Sequence, residues 1–319
     1  MSKSEAEKEI MDKKEDKTEA SVSTETKTSE SKETKSDVDT EKVKMERKEV
    51  AATTAAQEEQ TDKRAEDTGS IEGSEHDSDE GDIKVVYKFR DFNPKMVQAW
   101  ERVFSDHCGE DGGVEVSVGD IFKGAPAADA LVSPANSFGF MDGGIDMVYT
   151  RHFGWQMQHR LQDVIRKEHD GELIVGKAAL IPAYGEAADA EAVDEMYNEG
   201  QPIKYLISAP TMRIPMEVDN TPNAYLAFRA VILAVQKHNR REGVEPIRSV
   251  LCPGLGTAVG MMPFIRCAEQ MLVAYETYVL GSRPGRLVPR SLFHMLNDHD
   301  EMCYSKEHLN SSSVVRTGV

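Results

Sequence analysis

Three apolar runs in this chain stop at turns whose residue types suit an anion. Val114–Val118 leads into Gly119-Asp120-Ile121. Leu131-Val132 leads into Ser133-Pro134-Ala135-Asn136-Ser137-Phe138-Gly139-Phe140-Met141-Asp142-Gly143-Gly144-Ile145-Asp146. Val250-Leu251-Cys252 leads into Pro253-Gly254-Leu255-Gly256-Thr257-Ala258-Val259-Gly260. Glycine lets a backbone close on a phosphate, whose charge is then held by free N–H groups and the positive end of a following helix. Two of these turns run directly into helices, and facing each other they would clamp a pyrophosphate from both sides. Each one alone also reads as a purely structural turn. The spacing does not fit GxxxxGK[ST], and no acidic ribose ligand follows a GxGxxG pattern, so P-loop and Rossmann readings are poor.

The elements that must position these turns alternate. A helix opens at Asn93-Pro94, with Met96, Val97, Trp100 and Val103 at helical spacing. Strands are expected at 114–118, 128–132, 173–181, 204–208 and 249–252. A long helix is expected over Ile145–Lys167, with Leu161, Val164 and Ile165 on one face. Another follows Asn220-Thr221-Pro222, where Phe228, Val231, Ile232 and Val235 recur at i, i+3, i+4, i+7. The last carries Phe264, Cys267, Ala268, Met271 and Tyr275 on one face. Such alternation implies a mostly parallel or mixed sheet with helices on both sides, and ligands in such sheets bind beyond the carboxyl ends of the strands. The acidic residues 184–200 between two strands read as a surface insertion.

Composition divides the 319 residues unevenly. Residues 1–83 hold 14 Lys+Arg against 26 Asp+Glu and no aromatic or Cys, which is 12 of the chain's 18 net negative charges. Ordering costs roughly 1–2 kcal/mol per residue, and so polar a segment cannot recover it by burial. It is expected to be a disordered acidic tail that recruits protein partners. Within it, Lys42–Lys48 is a basic run broken by Glu46, and Ser74 and Ser78 sit in acidic surroundings; at the other end of the chain, Thr317-Gly318-Val319 fits a loose PDZ-ligand pattern. Cys108, Cys252, Cys267 and Cys303 form no CxxC pair, so no zinc site is expected. With no apolar leader and no long apolar run, the chain is expected in cytoplasm or nucleus, away from membranes. The remainder has 24 basic against 30 acidic residues, which weighs against a nucleic-acid partner.

In order and spacing, these elements resemble the macro domain family over nearly 200 residues. That family shows a Gly-Asp-Ile element, a strand ending in Asn-Ala-Ala-Asn-Ser, a Gly-rich loop ending Gly-Gly-Val-Asp and a second Gly-rich loop after a late strand. The chain is most similar to the divergent macro-like, phage-tail-like branch, through APTMRIP at 209–215 and CPGLGTAVG at 252–260. The resemblance implies a three-layer α/β/α macro-domain-like sandwich with a mixed central sheet at 84–280, behind the tail and before a partly disordered extension, 281–319. It implies ADP-ribose or an ADP-ribosylated protein as partner, with no cofactor or metal.

Residue by residue, Asp120 matches the family's adenine-binding carboxylate, with Ile121 beside it; alone it reads as a turn or helix cap. Asn136 matches the distal-ribose ligand and, with Asp146, is expected in the catalytic pair, or is an Asx-turn. Asp146, ten residues later, has the spacing of the general base in ADP-ribosyl hydrolases, or is a helix-dipole acid worth roughly 0.3–1 kcal/mol. The backbones of Gly143, Gly144 and Ile145 and of Gly254, Gly256, Thr257, Ala258, Val259 and Gly260 would hold the diphosphate. The sequence departs from the family pattern at Ser133, Pro134, Met141 and Asp142, and it lacks the second-loop aromatic, leaving Val259, Met261 or Met262 to cover the ribose. Binding is thereby better supported than turnover. Four functions remain open: an ADP-ribosyl hydrolase, a non-catalytic reader, an enzyme on a free ADP-ribose derivative such as the 1″-phosphate, and a domain that keeps the fold but binds another phosphate ligand or none.

Overall fold

A computed structural model of the protein describes residues 83–109, 112–185 and 198–304. The chain divides into units Met1–His76 and Asp77–Val319, and all described residues belong to the second. The tail, its basic run and its serines, most of the 184–200 insertion and the C-terminal tripeptide lie outside the described residues.

The strands are β1 (Val86–Asp91), β2 (Val114–Val118), β3 (Ala130–Ser133), β4 (Ala179–Pro182), β5 (Tyr205–Ser208) and β6 (Ser249–Cys252). The helices are α1 (Pro94–Val103), α2 (Gly144–Phe153), α3 (Trp155–Glu168), α4 (Asn223–Asn239), α5 (Phe264–Tyr278), α6 (Pro284–Leu287) and α7 (Leu292–Cys303). The sheet order is β2-β1-β6-β3-β5-β4. Every pairing is parallel except β4 against β5, so the sheet is mixed.

Side-chain alternation along the central strands sorts the core into two layers. Ala130 and Val132 of β3, Ile207 of β5 and Val250 and Cys252 of β6 face a cluster built with α1, α4 and α5. Leu131, Leu206 and Leu251 face the opposite cluster, built with α2 and α3. Helices therefore cover both faces, giving three layers. On the first face, Phe89 stacks on Trp100 at 5.3 Å between centroids and meets Phe228 edge-on at 5.5 Å.

Three points differ from expectation. The strand β1 was not foreseen, yet it pairs with both β2 and β6. The helix expected over Ile145–Lys167 is two helices, broken at Gly154, whose φ of 84° lies where side chains are strained. The strand expected over 173–181 is reduced to Ala179–Pro182. Leu173 instead donates its N–H to the Ser137 carbonyl at 2.8 Å, pinning its segment against the loop after β3. Of the C-terminal extension, residues 281–304 are described. Ser291 caps α7, Met302 and Cys303 are buried, and Gln270 Nε2 donates to the Met302 carbonyl at 2.8 Å.

Candidate ligand site at the carboxyl ends of the strands

Because β2, β1, β6, β3 and β5 run parallel, the segments leaving their carboxyl ends share one edge of the sheet. Those segments contain all the candidate residues. β3 and β6 are hydrogen-bonded neighbours, so the loop at 133–146 and the loop at 253–260 leave adjacent positions.

The segment after β5 joins the two loops. Ser137 N–H donates to the Arg213 carbonyl at 3.0 Å, and Thr211 Oγ1 donates to the Pro134 carbonyl at 3.1 Å. Val218 N–H donates to the Gly260 carbonyl at 2.8 Å. Arg213 is in turn held by Glu172 at 2.6 Å and lies over the Phe138 ring at 5.0 Å.

The first loop ends in the N-terminus of α2. Gly143 is the cap residue and supplies no side chain, and Gly144 has φ of 55°. Both are exposed, as is Asp142, and a Cβ added at Gly143 or Gly144 would meet open space. Here the glycines keep the helix end bare instead of fitting a crowded corner. The N–H groups of Gly144, Ile145 and Asp146 have no intrahelical acceptor, as in any first turn. The dipole end is thus presented to solvent.

The second loop is tightly built at its base. Gly254 N–H donates to Asp91 Oδ2 at 3.2 Å, Leu255 N–H to Cys267 Sγ at 3.4 Å and Met262 N–H to the Gly256 carbonyl at 3.0 Å. Gly256 has φ of 71°. A Cβ on Gly260 would come within 2.5 Å of the Gly256 carbonyl oxygen and 2.6 Å of Val218. Between these fixed points, the N–H groups of Thr257, Ala258, Val259 and Gly260 have no acceptor among the described residues. Ala258 and Val259 are exposed, Thr257 is half-buried and Met262 is core.

Asp146 is held inward. It is only 7% exposed, and Ser133 Oγ donates to its Oδ1 at 2.6 Å. Burial drives the carboxyl up to about 7, with the Ser133 hydrogen bond pulling the other way. The serine that departs from the family pattern is therefore the partner of the acid. Tyr149 lies alongside and donates to the Val132 carbonyl at 3.0 Å.

Asn136 spends most of its amide on its own loop. Its Oδ1 accepts from Phe138 and Phe140 N–H at 3.1 and 3.3 Å, and its Nδ2 donates to the Phe140 carbonyl at 2.8 Å. Asp120, at the end of β2, accepts from Phe122 and Lys123 N–H at 2.9 and 2.8 Å while remaining exposed. Ile121 beside it is core. His152 stacks on Phe122 at 3.9 Å, and burial pulls its pKa down, with Asp120 opposing.

Two supports escaped the sequence reading, both on β1. Arg90 is buried and donates to the Asp120 carbonyl at 2.7 Å and to Ser117 Oγ at 3.0 Å. Asp91 accepts from Asn93 N–H at 2.8 Å and from Gly254 N–H, tying α1 to the second loop. The alternation Val86-Tyr87-Lys88-Phe89-Arg90-Asp91 was the signal available for both.

Residues 132–271 match the model of the macro domain. An uncharacterized protein of Aquifex aeolicus is 30% identical over 145 residues, covering 46% of this chain and 71% of the relative. The chain belongs to the macro domain family. Among solved structures, the macrodomain of Mycobacterium tuberculosis DarG is similar at 22% identity and a TM-score of 0.37, covering 50% of this chain and 88% of that one. An Oceanobacillus iheyensis macrodomain with ADP shows 18% identity and a TM-score of 0.38, covering 50% and 73%. Thermosipho africanus DarTG in complex with ADP-ribose shows 20% identity and a TM-score of 0.34, covering 46% and 35%. The family match begins within β3 and ends within α5, so it takes in both glycine loops and Asp146 but not Asp120.

Proposed function

We propose that the chain binds ADP-ribose, free or attached to protein, at the carboxyl ends of β3 and β6. The observation that carries this is the pair of N–H-rich backbones on neighbouring parallel strands: the bare start of α2 at Gly143–Asp146 and the loop at Thr257–Gly260. A diphosphate between them would take charge-assisted hydrogen bonds from both sides. Membership of the macro domain family and the ADP-ribose-bound relative support the same ligand. Asp120 stands three strands from β3 in the sheet order, about 14 Å at the usual ~4.8 Å spacing. On this reading the adenosine end of the ligand would extend toward Asp120, whose Oδ1 is held by its own turn, leaving the other oxygen to accept from the adenine amine. Isothermal calorimetry with ADP-ribose tests the reading. We expect saturable heat at 1:1 stoichiometry, and a folded sample giving none at millimolar ligand rules it out.

A second reading, hydrolysis of ADP-ribosyl groups from protein, is favoured by Asp146. A base works best with a pKa near the operating pH, and burial raises this carboxyl to about 7. Release of label from an ADP-ribosylated protein tests it. Asp146→Ala should abolish release and keep ADP-ribose affinity within about tenfold, roughly 1.4 kcal/mol. Absence of release by the wild type leaves a reader.

A further inference from the structure

The segment after α5 is anchored along one side and bare along the other. Met302 and Cys303 are buried, and Gln270 Nε2 donates to the Met302 carbonyl at 2.8 Å. Arg286 pairs with Asp298 and lies over the Tyr225 ring at 5.4 Å. These contacts fix α7 against the domain. On its free side Leu292, Phe293 and Leu296 are 69%, 56% and 54% exposed. Leu287 and Val288, at the end of α6, are exposed just ahead of them. Single exposed apolar side chains are ordinary. Five within ten residues form a patch, and patches mark interaction surfaces.

The charges beside this patch run against the helix's own dipole. A helix favours acids in its first turn and bases in its last. The first turn of α7 has no acid and its last turn has no base. Arg290 instead stands just ahead of the Ser291 cap, and Asp300 and Glu301 lie in the last turn. Phe293, Leu296 and Asp300 recur at i, i+3 and i+7, which is one face of the helix. Neither Arg290, Asp300 nor Glu301 makes an ion pair among the described residues.

A basic end, an apolar middle and an acidic end make a self-complementary surface. A two-fold axis beside Met295, midway between Arg290 and Asp300, would set the acidic end of one copy on the basic end of the other. Phe293 and Leu296 flank that axis and would meet their counterparts at the centre. The two dipoles would run antiparallel, so the charge placement that is unfavourable within one helix becomes favourable across two. Every contact of such an isologous pair occurs twice.

We propose that the exposed face of α7 is a homodimer contact, in which two copies of the chain pack antiparallel with Arg290 of each facing Asp300 of the other. The contact lies outside residues 132–271, which match the macro domain, so it belongs to this chain's C-terminal segment and not to the matched core.

Sedimentation equilibrium on the full chain tests this, in about 0.15 M salt to screen the net charge of −18. The wild type should be dimeric at tens of micromolar chain. Leu296→Glu, at the centre of the contact, should weaken association at least about tenfold. Arg290→Glu and Asp300→Arg should each weaken it several-fold, because each puts like charges face to face. The double variant, with the charges exchanged, should return to within about threefold of the wild type. Both exchanges suit the dipole of α7, so a weakened dimer is not a lost helix; unchanged melting of the monomeric variants checks this. A wild type that stays monomeric, or a dimer that survives Leu296→Glu, overturns the proposal. A double variant no better than the single ones overturns the antiparallel arrangement.

Discussion

Replacing Asp146 with Asn keeps an acceptor for the Ser133 hydroxyl and removes the titrating proton, so it isolates what the buried charge costs. The carboxyl is raised from 3.8 to about 7 by burial. A raised acid favours the folded state while it is protonated. Its contribution is full below the unfolded pKa near 4, declines as pH rises, and is gone above about 7. Three pH units at about 1.36 kcal/mol each amount to roughly 4 kcal/mol between those limits. Asp146→Asn should therefore match the wild type near pH 4 and exceed it by about 4 kcal/mol at pH 8, order of magnitude. For a domain of this size that corresponds to about 10 °C in Tm. Urea unfolding of both proteins at half-unit steps from pH 4 to 8.5 reads the difference directly. Curves that stay parallel across that range would refute the reasoning, because they would mean that Asp146 titrates alike in the folded and unfolded chain. A stabilised variant that also loses label release would show the acid kept at a cost to the fold for the sake of chemistry.

Three other substitutions probe the remaining parts. Gly260→Ala should weaken ADP-ribose at least about tenfold by calorimetry, since its Cβ would meet the Gly256 carbonyl at 2.5 Å and force the second loop open. Gly154→Ala should lower stability by about 1–3 kcal/mol, the cost of a side chain at φ of 84° and ψ of 164°, with ligand affinity unchanged; a large affinity loss would mean the α2–α3 break shapes the site. Asp142→Asn should tighten binding several-fold at low salt, an advantage that shrinks in about 1 M salt, where the screening length is ~3 Å. A salt-independent gain would point to a direct contact instead of repulsion between Asp142 and the phosphates.

Much of the scaffold was legible. The helices α1, α4 and α5 announced themselves through apolar residues at helical spacing, and β2 and β6 through short apolar runs. Strand β1 was hidden because Lys88 and Arg90 interrupt it, although Tyr87 and Phe89 alternate with them and both are buried. The segment at 173–178 begins apolar without being a strand: Leu173 N–H goes to the Ser137 carbonyl in the loop after β3, and Lys177 N–H closes a turn on the Ile174 carbonyl. A single glycine inside a strong helical period gave no sign that Gly154 takes a positive φ. In the site, the glycine loops and their order were readable, because the sheet brings successive strand ends to one edge. The side-chain bonds within it were not. Ser133 stands thirteen residues from Asp146 and reads as a lost family residue until the end of β3 and the first turn of α2 bring the two within 2.6 Å. Likewise Asn136 matches a ribose ligand in the pattern, and only the fold of its loop shows the amide engaged with Phe138 and Phe140.

On the proposed reading, two backbone loops on β3 and β6 clamp a diphosphate. A co-crystal structure with ADP-ribose tests it most directly. Phosphate oxygens should lie within hydrogen-bond distance of N–H groups at Gly144–Asp146 and at Thr257–Gly260, with the adenine toward Asp120. A ligand bound elsewhere, or one whose diphosphate touches neither loop, would contradict it.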